Sequence, residues 1–211
     1  MITLLVFQLA VLLFSVILHE ISHGYVAEYL GDPTARNAGR LTLNPISHLD
    51  PVGSLLVPIG LWLLTGGQFV FGWAKPVPYN PMNLRDPVAG AAKIAAAGPL
   101  VNLGLALVFG TLLRLLAVVS SAPPLLGEMF ALVVYLNILL AIFNLVPIPP
   151  LDGSKVLFAV LPKNEIGFRI MQTLERYGMV LVLLFVFFGF NLIIPLINVL
   201  FALITGQPAG F

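Results

Sequence analysis

Apolar residues fill this chain in long runs, and the polar positions between them are few enough to be read one at a time. The first run covers residues 2–30 and carries no charge before Glu20. At 1.5 Å per residue, a helix of this length crosses the ~30 Å of hydrocarbon in a bilayer. Gly31-Asp32-Pro33 stops it. Residues 52–65 are apolar but short, and Pro58 and Gly60 interrupt them, which predicts a re-entrant or half-crossing segment. Residues 66–79 mix aromatic and β-branched side chains with glycines and prolines. They predict a short β-hairpin or extended ribbon at the inner interface, with a plain loop as the other reading. Residues 88–119 form the next long run, opened by a stretch of glycine and alanine over 89–98. Small side chains there let helix backbones approach closely in lipid. After a short loop over 120–127, residues 128–145 return through the bilayer. Residues 166–189 start amphipathic and become wholly apolar; Gly189-Phe190-Asn191 breaks them, and 192–205, with Pro195, make a final short helix. One broken span and two separate spans are both compatible with that last pattern, so the side of the C-terminus stays open.

Composition agrees with the pattern. Of 211 residues, 59% are hydrophobic and 9% charged, and the mean hydropathy is +1.04. A soluble core does not account for such values. The expected fold is an all-α polytopic membrane helix bundle of about four to six membrane segments. It is read as a single domain over 1–211, with a core over about 1–155 and C-terminal helices over about 164–206. A net charge of +1 points to no nucleic acid and no strongly charged partner. The absence of cysteine excludes disulfides and cysteine-type zinc sites. The first run lacks a basic start and reads as a retained helix. Arg36 and Arg40 place the loop after it in the cytoplasm by the positive-inside rule. Nine of the ten Lys and Arg residues then lie inside, Arg114 being the exception.

Within the first run stands His19-Glu20-Ile21-Ser22-His23. A four-residue step on a helix returns the two imidazoles to one face, roughly 40° apart. Two histidines so placed can bind one zinc ion, and the glutamate between them can take a proton from a water that the metal acidifies. Two surface histidines are the bland alternative, which a run as apolar as residues 11–18 makes a poor fit.

Catalytic zinc usually takes a third protein ligand. His48 is the only other histidine and sits in a polar loop, where it reads as an ordinary loop residue. Glu28 lies about 140° around the helix from His23 and faces away. Asp32, Asp50 and Asp86 each precede a proline, where a turn role suffices. Glu128 opens the return segment at its outer end, and Glu165 and Glu175 accompany basic residues. Asp152 remains, just after Pro147, Pro149 and Pro150 have ended an inward-running helix. It either caps the helix that begins at Gly153 or projects a carboxylate at the depth of the metal; its place at the border of the membrane core favours the ligand. Asn102, in Gly98-Pro99-Leu100-Val101-Asn102, and Asn144 are amides within apolar runs. Each either bonds between helices or holds substrate.

These residues together resemble the site-2 protease family of intramembrane zinc metalloproteases. The resemblance rests on the His19–His23 motif, on 98–102, and on the segment from Asn144 through Pro147, Pro149, Pro150 and Asp152 to Gly153. It implies one zinc ion held by His19, His23 and Asp152, Glu20 as catalytic base, and cleavage of a substrate transmembrane helix. The stretch from Arg40 to Gly53 also resembles the minimal members, without PDZ or CBS domain. The chain thus reads as a zinc metalloendopeptidase of the cell membrane, with its active site toward the cytoplasm and transmembrane proteins and the bilayer as partners. A non-proteolytic zinc-binding membrane protein or metal transporter is the alternative, but a transporter needs polar residues along a whole path. The substrate helix must unwind to expose a carbonyl, and Asn102 and Asn144 are expected to hold the opened backbone. The ribbon over 69–77 is expected to offer it a strand edge.

Because the chain has no cysteine, single cysteines report sidedness cleanly. A membrane-impermeant maleimide should leave S47C unlabelled in intact cells and should label S121C. Labelling of S47C from outside overturns the orientation.

Overall fold

The computed structural model describes residues 2–66, 72–118 and 123–209. Helix α1 is Ile2–Tyr29, as the first apolar run predicts. Gly31 ends it with φ 105°, a left-handed conformation that a side chain disfavours. The Asp32 N–H then closes onto the Ala27 carbonyl at 2.9 Å. A short helix α2 (Thr34–Asn37) and a 3₁₀ turn (Pro45–His48) follow. A π-helical stretch, Pro51–Leu56, runs into α3, Val57–Leu64. The continuous Pro51–Leu64 helix reaches about 21 Å at 1.5 Å per residue, too short to cross. The long helices α4 (Pro87–Val118) and α5 (Pro124–Asn144) come next, then α6 (Asp152–Val160) and α7 (Glu165–Leu184). A π-helical turn (Phe185–Gly189) and a 3₁₀ turn (Phe190–Leu192) lead to α8, Ile194–Thr205.

Among the described residues four helical stretches are long and apolar enough to cross a membrane: Leu4–Tyr29, Pro87–Val118, Pro124–Asn144 and Glu165–Leu192. The C-terminal region thus holds one span-length helix and the short α8. The chain is a multi-pass membrane protein. No strand occurs among the described residues. Residues 67–71 of the expected hairpin lie outside them, and with them residues 69–71 of the expected strand edge. The described remainder, 72–79, has no regular secondary structure and bonds to the segments that follow α1 instead of to another strand.

Helix α4 is the central post, packed against α1, α5, α6 and α8. Its small-residue stretch does what lipid-embedded helices require of it: Gly90, Ala95, Ala97 and Gly98 are buried and let neighbours come close. Further along, Ala106 joins Val134, Ile138, Ile197 and Phe201 in an apolar core shared with α5 and α8. The outer faces stay aliphatic, with Leu5, Leu9, Val108 and Leu115 more than half exposed, as lipid contact demands.

Just past the end of α1, Asp32 does more than the turn role expected of it. It is fully buried and accepts four hydrogen bonds: from the Thr34 N–H (3.2 Å) and hydroxyl (2.5 Å), the Asn80 N–H (2.6 Å) and the Asn83 amide (2.7 Å). It thereby ties the end of α1 to the approach to α4. Upstream, the Trp73 N–H donates to Gly53 O and the Lys75 N–H to His48 O, while the buried Arg40 donates to Lys75 O at 2.6 Å. Residues 72–80 are thus laced along the loops that follow α1.

Burial opposes ionisation of Asp32, but the bonds from Thr34, Asn80 and Asn83 outweigh it and hold its pKa below the usual carboxyl value. A depressed pKa contributes stability above the unfolded value of ~3.9 and loses it as pH falls through the folded one. D32N, which turns an NH₂ toward those donors, should be less stable at neutral pH by about 1–3 kcal/mol. The gap from the parent protein should shrink below about pH 4. Denaturant unfolding in micelles across pH measures both.

Candidate metal centre

Helix α1 presents His19 and His23 on one face, their rings 4.7 Å apart and nearly perpendicular. Each ring is held from behind through Nδ1. The His19 Nδ1–H donates to Asn102 Oδ1 at 2.6 Å, and the His23 Nδ1–H donates to the Ile94 carbonyl at 2.7 Å. Ile94 lies one residue before Ala95, whose carbonyl loses its helical donor to Pro99. With Nδ1 protonated on both rings, both Nε2 atoms are left as lone pairs facing forward.

They face Asp152. The chain leaves α5 at Asn144 and folds through compact turns, Ile148 N–H to Val146 O and Leu151 N–H to Ile148 O, before α6 begins. Asp152 is the first residue of α6, and Leu151 holds the cap position without a side-chain cap bond. The carboxylate therefore does not cap the helix. Its Oδ2 lies 3.0 Å from His19 Nε2 and 3.3 Å from His23 Nε2. The three ligand atoms lie within 4.8 Å of one another. Two neutral imidazole nitrogens and one carboxylate are a donor set that suits catalytic zinc and leaves a coordination position open. The residues fit the metal that the motif predicts.

The backbone of α4 makes room for this. A Cβ at Gly98 would fall against the imidazole of His19, so no larger residue fits without moving the ring. Glu20 stands beside the cluster, its Oε2 accepting the Val77 N–H at 2.9 Å. All four side chains open onto one cavity of about 560 Å³, walled mainly by apolar groups of α1, α4, α5 and α7.

The two asparagines part company. Asn144 lines the cavity and donates to the Leu140 carbonyl, one turn back. Asn102 does not face the cavity: it is fully buried behind His19, and its amide is taken up by His19, Ser15 and Asn137. The substrate-holding place expected for it from sequence is corrected accordingly, because no donor or acceptor of its amide points outward. Glu28 faces away, as expected, and pairs with Arg36. His48 is a buried loop residue whose ring bonds to Thr42 O. Sequence reasoning passed over Ser15 and Asn137. Both stand in apolar runs, and Ser15 is one turn before His19, which is the signal that marks them. Val77 acts through its backbone, and no residue type marks that.

Gly98 and Gly104 share α4, but only Gly98 is crowded; nothing lies within 4 Å of a Cβ at Gly104. Alanine favours a helix over glycine by about 1 kcal/mol at either place. G98A should nevertheless weaken metal binding about tenfold or more, as displaced ligands do. G104A should keep it. Metal competition with a chelator on purified protein decides between them.

A family model described as Peptidase family M50 matches residues 122–186. The chain is 37% identical over 207 residues to the "Putative zinc metalloprotease YwhC" of Bacillus subtilis, covering 93% of this chain and 88% of that one. It is 32% identical over 171 residues to the "Putative zinc metalloprotease Rip2" of Mycolicibacterium smegmatis, covering 77% of this chain and 63% of that one. Over 194 residues it is 29% identical to the "Zinc metalloprotease MJ0392" of Methanocaldococcus jannaschii, covering 90% of this chain and 46% of that one. No solved structure matches significantly. With 37% of aligned residues shared with YwhC along most of both chains, the protein belongs to peptidase family M50, the site-2-type membrane metalloproteases, whose metal is zinc.

Proposed function

We propose that this protein is an intramembrane endopeptidase that cuts transmembrane segments of membrane proteins, with zinc held by His19, His23 and Asp152 and with Glu20 as general base. The observation that carries this reading is the convergence of two bare Nε2 atoms and one carboxylate oxygen at the wall of an apolar cavity that also receives Glu20. A metal transporter has no use for that glutamate. Zinc at this place supplies Lewis acidity to water and to the substrate carbonyl.

The protein's own groups supply the rest. Glu20 sits next to a ligand in sequence and faces the same cavity, so it can take the proton of the attacking water and hand it to the leaving amine. The Val77 N–H fixes one of its oxygens and so orients the other. The apolar walls, among them Val16, Leu140, Phe143 and Val182, suit a hydrophobic substrate segment and limit access of bulk water. A helical substrate hides its carbonyls in its own hydrogen bonds, so it must open before it is cut. Asn144 offers the opened strand its amide oxygen and the one N–H that the bond to Leu140 O leaves over. The concentration of Lys and Arg in loops on one side supports a site toward the cytoplasmic face of the cell membrane.

Purified protein should carry one zinc per chain, and D152A should lose it. E20Q should keep zinc and lose about 10²–10⁴-fold in rate, because the amide cannot accept the proton of the water. N144A should slow cleavage about tenfold while sparing zinc. A model transmembrane substrate with a central Gly-Pro should be cut faster than a leucine-rich one, since both residues lower the cost of opening a helix. Mass spectrometry of the products and zinc analysis of each variant provide the measurements. Wild-type turnover by E20Q removes Glu20 from the mechanism.

A further inference from the structure

The His19 ring is one end of a buried chain of amides that crosses three helices. Its Nδ1–H donates to Asn102 Oδ1. Asn102 Nδ2 donates to Asn137 Oδ1 at 2.9 Å and, more weakly at 3.4 Å, to the Ser15 carbonyl. Asn137 Nδ2 donates to the Val133 carbonyl at 2.9 Å and to the Ser15 hydroxyl at 3.0 Å. Asn102 and Asn137 are both 0% exposed, so solvent does not substitute for any of these partners.

An amide is a donor on one side and an acceptor on the other, and its partners decide which way it is turned. Here the far end has no choice, because a backbone carbonyl only accepts. The Val133 carbonyl demands the NH₂ of Asn137. That turns Asn137 Oδ1 toward Asn102, which must answer with its own NH₂. Asn102 Oδ1 is then turned toward His19, and an amide oxygen also only accepts. His19 must therefore carry its proton on Nδ1, and Nε2 faces Asp152 as a lone pair. A flipped Asn102 would offer NH₂ to Nδ1, favour the proton on Nε2 and close that nitrogen to a metal. His23 needs no such relay, since the Ile94 carbonyl meets its ring directly.

We propose that Asn137 is a positioning residue for the zinc site: through Asn102 it carries the polarity of the Val133 carbonyl across α5 and α4 and holds His19 in the one neutral tautomer that offers Nε2 to the metal. Asn137 touches neither metal nor substrate. The proposal rests on His19, His23 and Asp152 being the zinc ligands.

The test is zinc affinity by chelator competition on purified, monodisperse protein, with no activity needed. N137L keeps the branched shape, though with bulkier ends, and removes both ends of the amide. It should weaken zinc about ten- to a hundredfold, the usual effect of losing a partner of a metal-bound histidine. N137D, protonated in this dry setting, keeps one acceptor and one donor, so it should bind within about threefold of the parent. If N137L does not fold, N137A carries the same expectation, with N137D again as the rescue. Parent-like affinity in the variant lacking the amide overturns the relay, and so does an N137D as weak as that variant. H19A is the control: if it binds zinc like the parent, the ligand set itself is wrong, whereas loss in H19A with full affinity in N137L refutes the relay alone.

Discussion

A polar atom in the hydrocarbon of a bilayer has only protein to turn to, and the centre of this molecule is arranged around that fact. Ring nitrogens, amides and a carboxylate are brought to one depth by α1, α4, α5 and α6. The His19 ring meets an amide and the His23 ring meets a carbonyl, and each Nε2 meets the carboxylate of Asp152. These distances are short only because the helices are close, and the helices are close because α4 is rich in glycine and alanine where it passes α1. Sequence composition, packing distance and metal-site geometry are thus one problem. A larger residue at Gly98 would not merely crowd a helix pair; it would undo the orientation of a ligand.

Much of this was legible in the residues. A span needs about twenty apolar residues, a signal too long to arise from a buried soluble helix, so the four long helices could be read directly. Glycine and proline fixed their ends, as at Gly31 and before Pro147. Asp152 could be reached by elimination because a chain with nine acidic residues leaves few candidates. What could not be read is rotation. Asn102 is an amide in an apolar run, and nothing in its neighbours says whether it points at the cavity or behind the metal; the approach of α1 at Gly98 decides that. The expected ribbon shows the other limit. Aromatic and β-branched residues favour a strand, but a strand needs a partner strand, and here the partners of 72–80 are turns and side chains.

That segment joins two features that sequence treats separately. Asp32 and Arg40 looked like turn and topology residues, yet both hold the backbone that delivers the Val77 N–H to Glu20. The Glu20 carboxylate is therefore oriented from the segments that follow α1, while the imidazoles are oriented from within the helices. Changes in the loops are thus expected to be felt at Glu20, and changes in the helix core at His19 and His23.

The ligands also have very different ages during synthesis. His19 lies near the start of the chain, and Asp152 follows it 133 positions later. At about 5–20 residues per second, a ribosome separates the two by roughly 7–27 s. Throughout that interval α1 can enter the bilayer carrying both histidines and the glutamate, but the third donor does not yet exist. The amides of α4 and α5 that orient His19 also arrive in between. Until α6 is made, the chain holds only two of the three donors that converge at the cavity wall. The order of the residues along the chain thus makes the completed donor set a late event of synthesis, dependent on α4, α5 and the turns before α6.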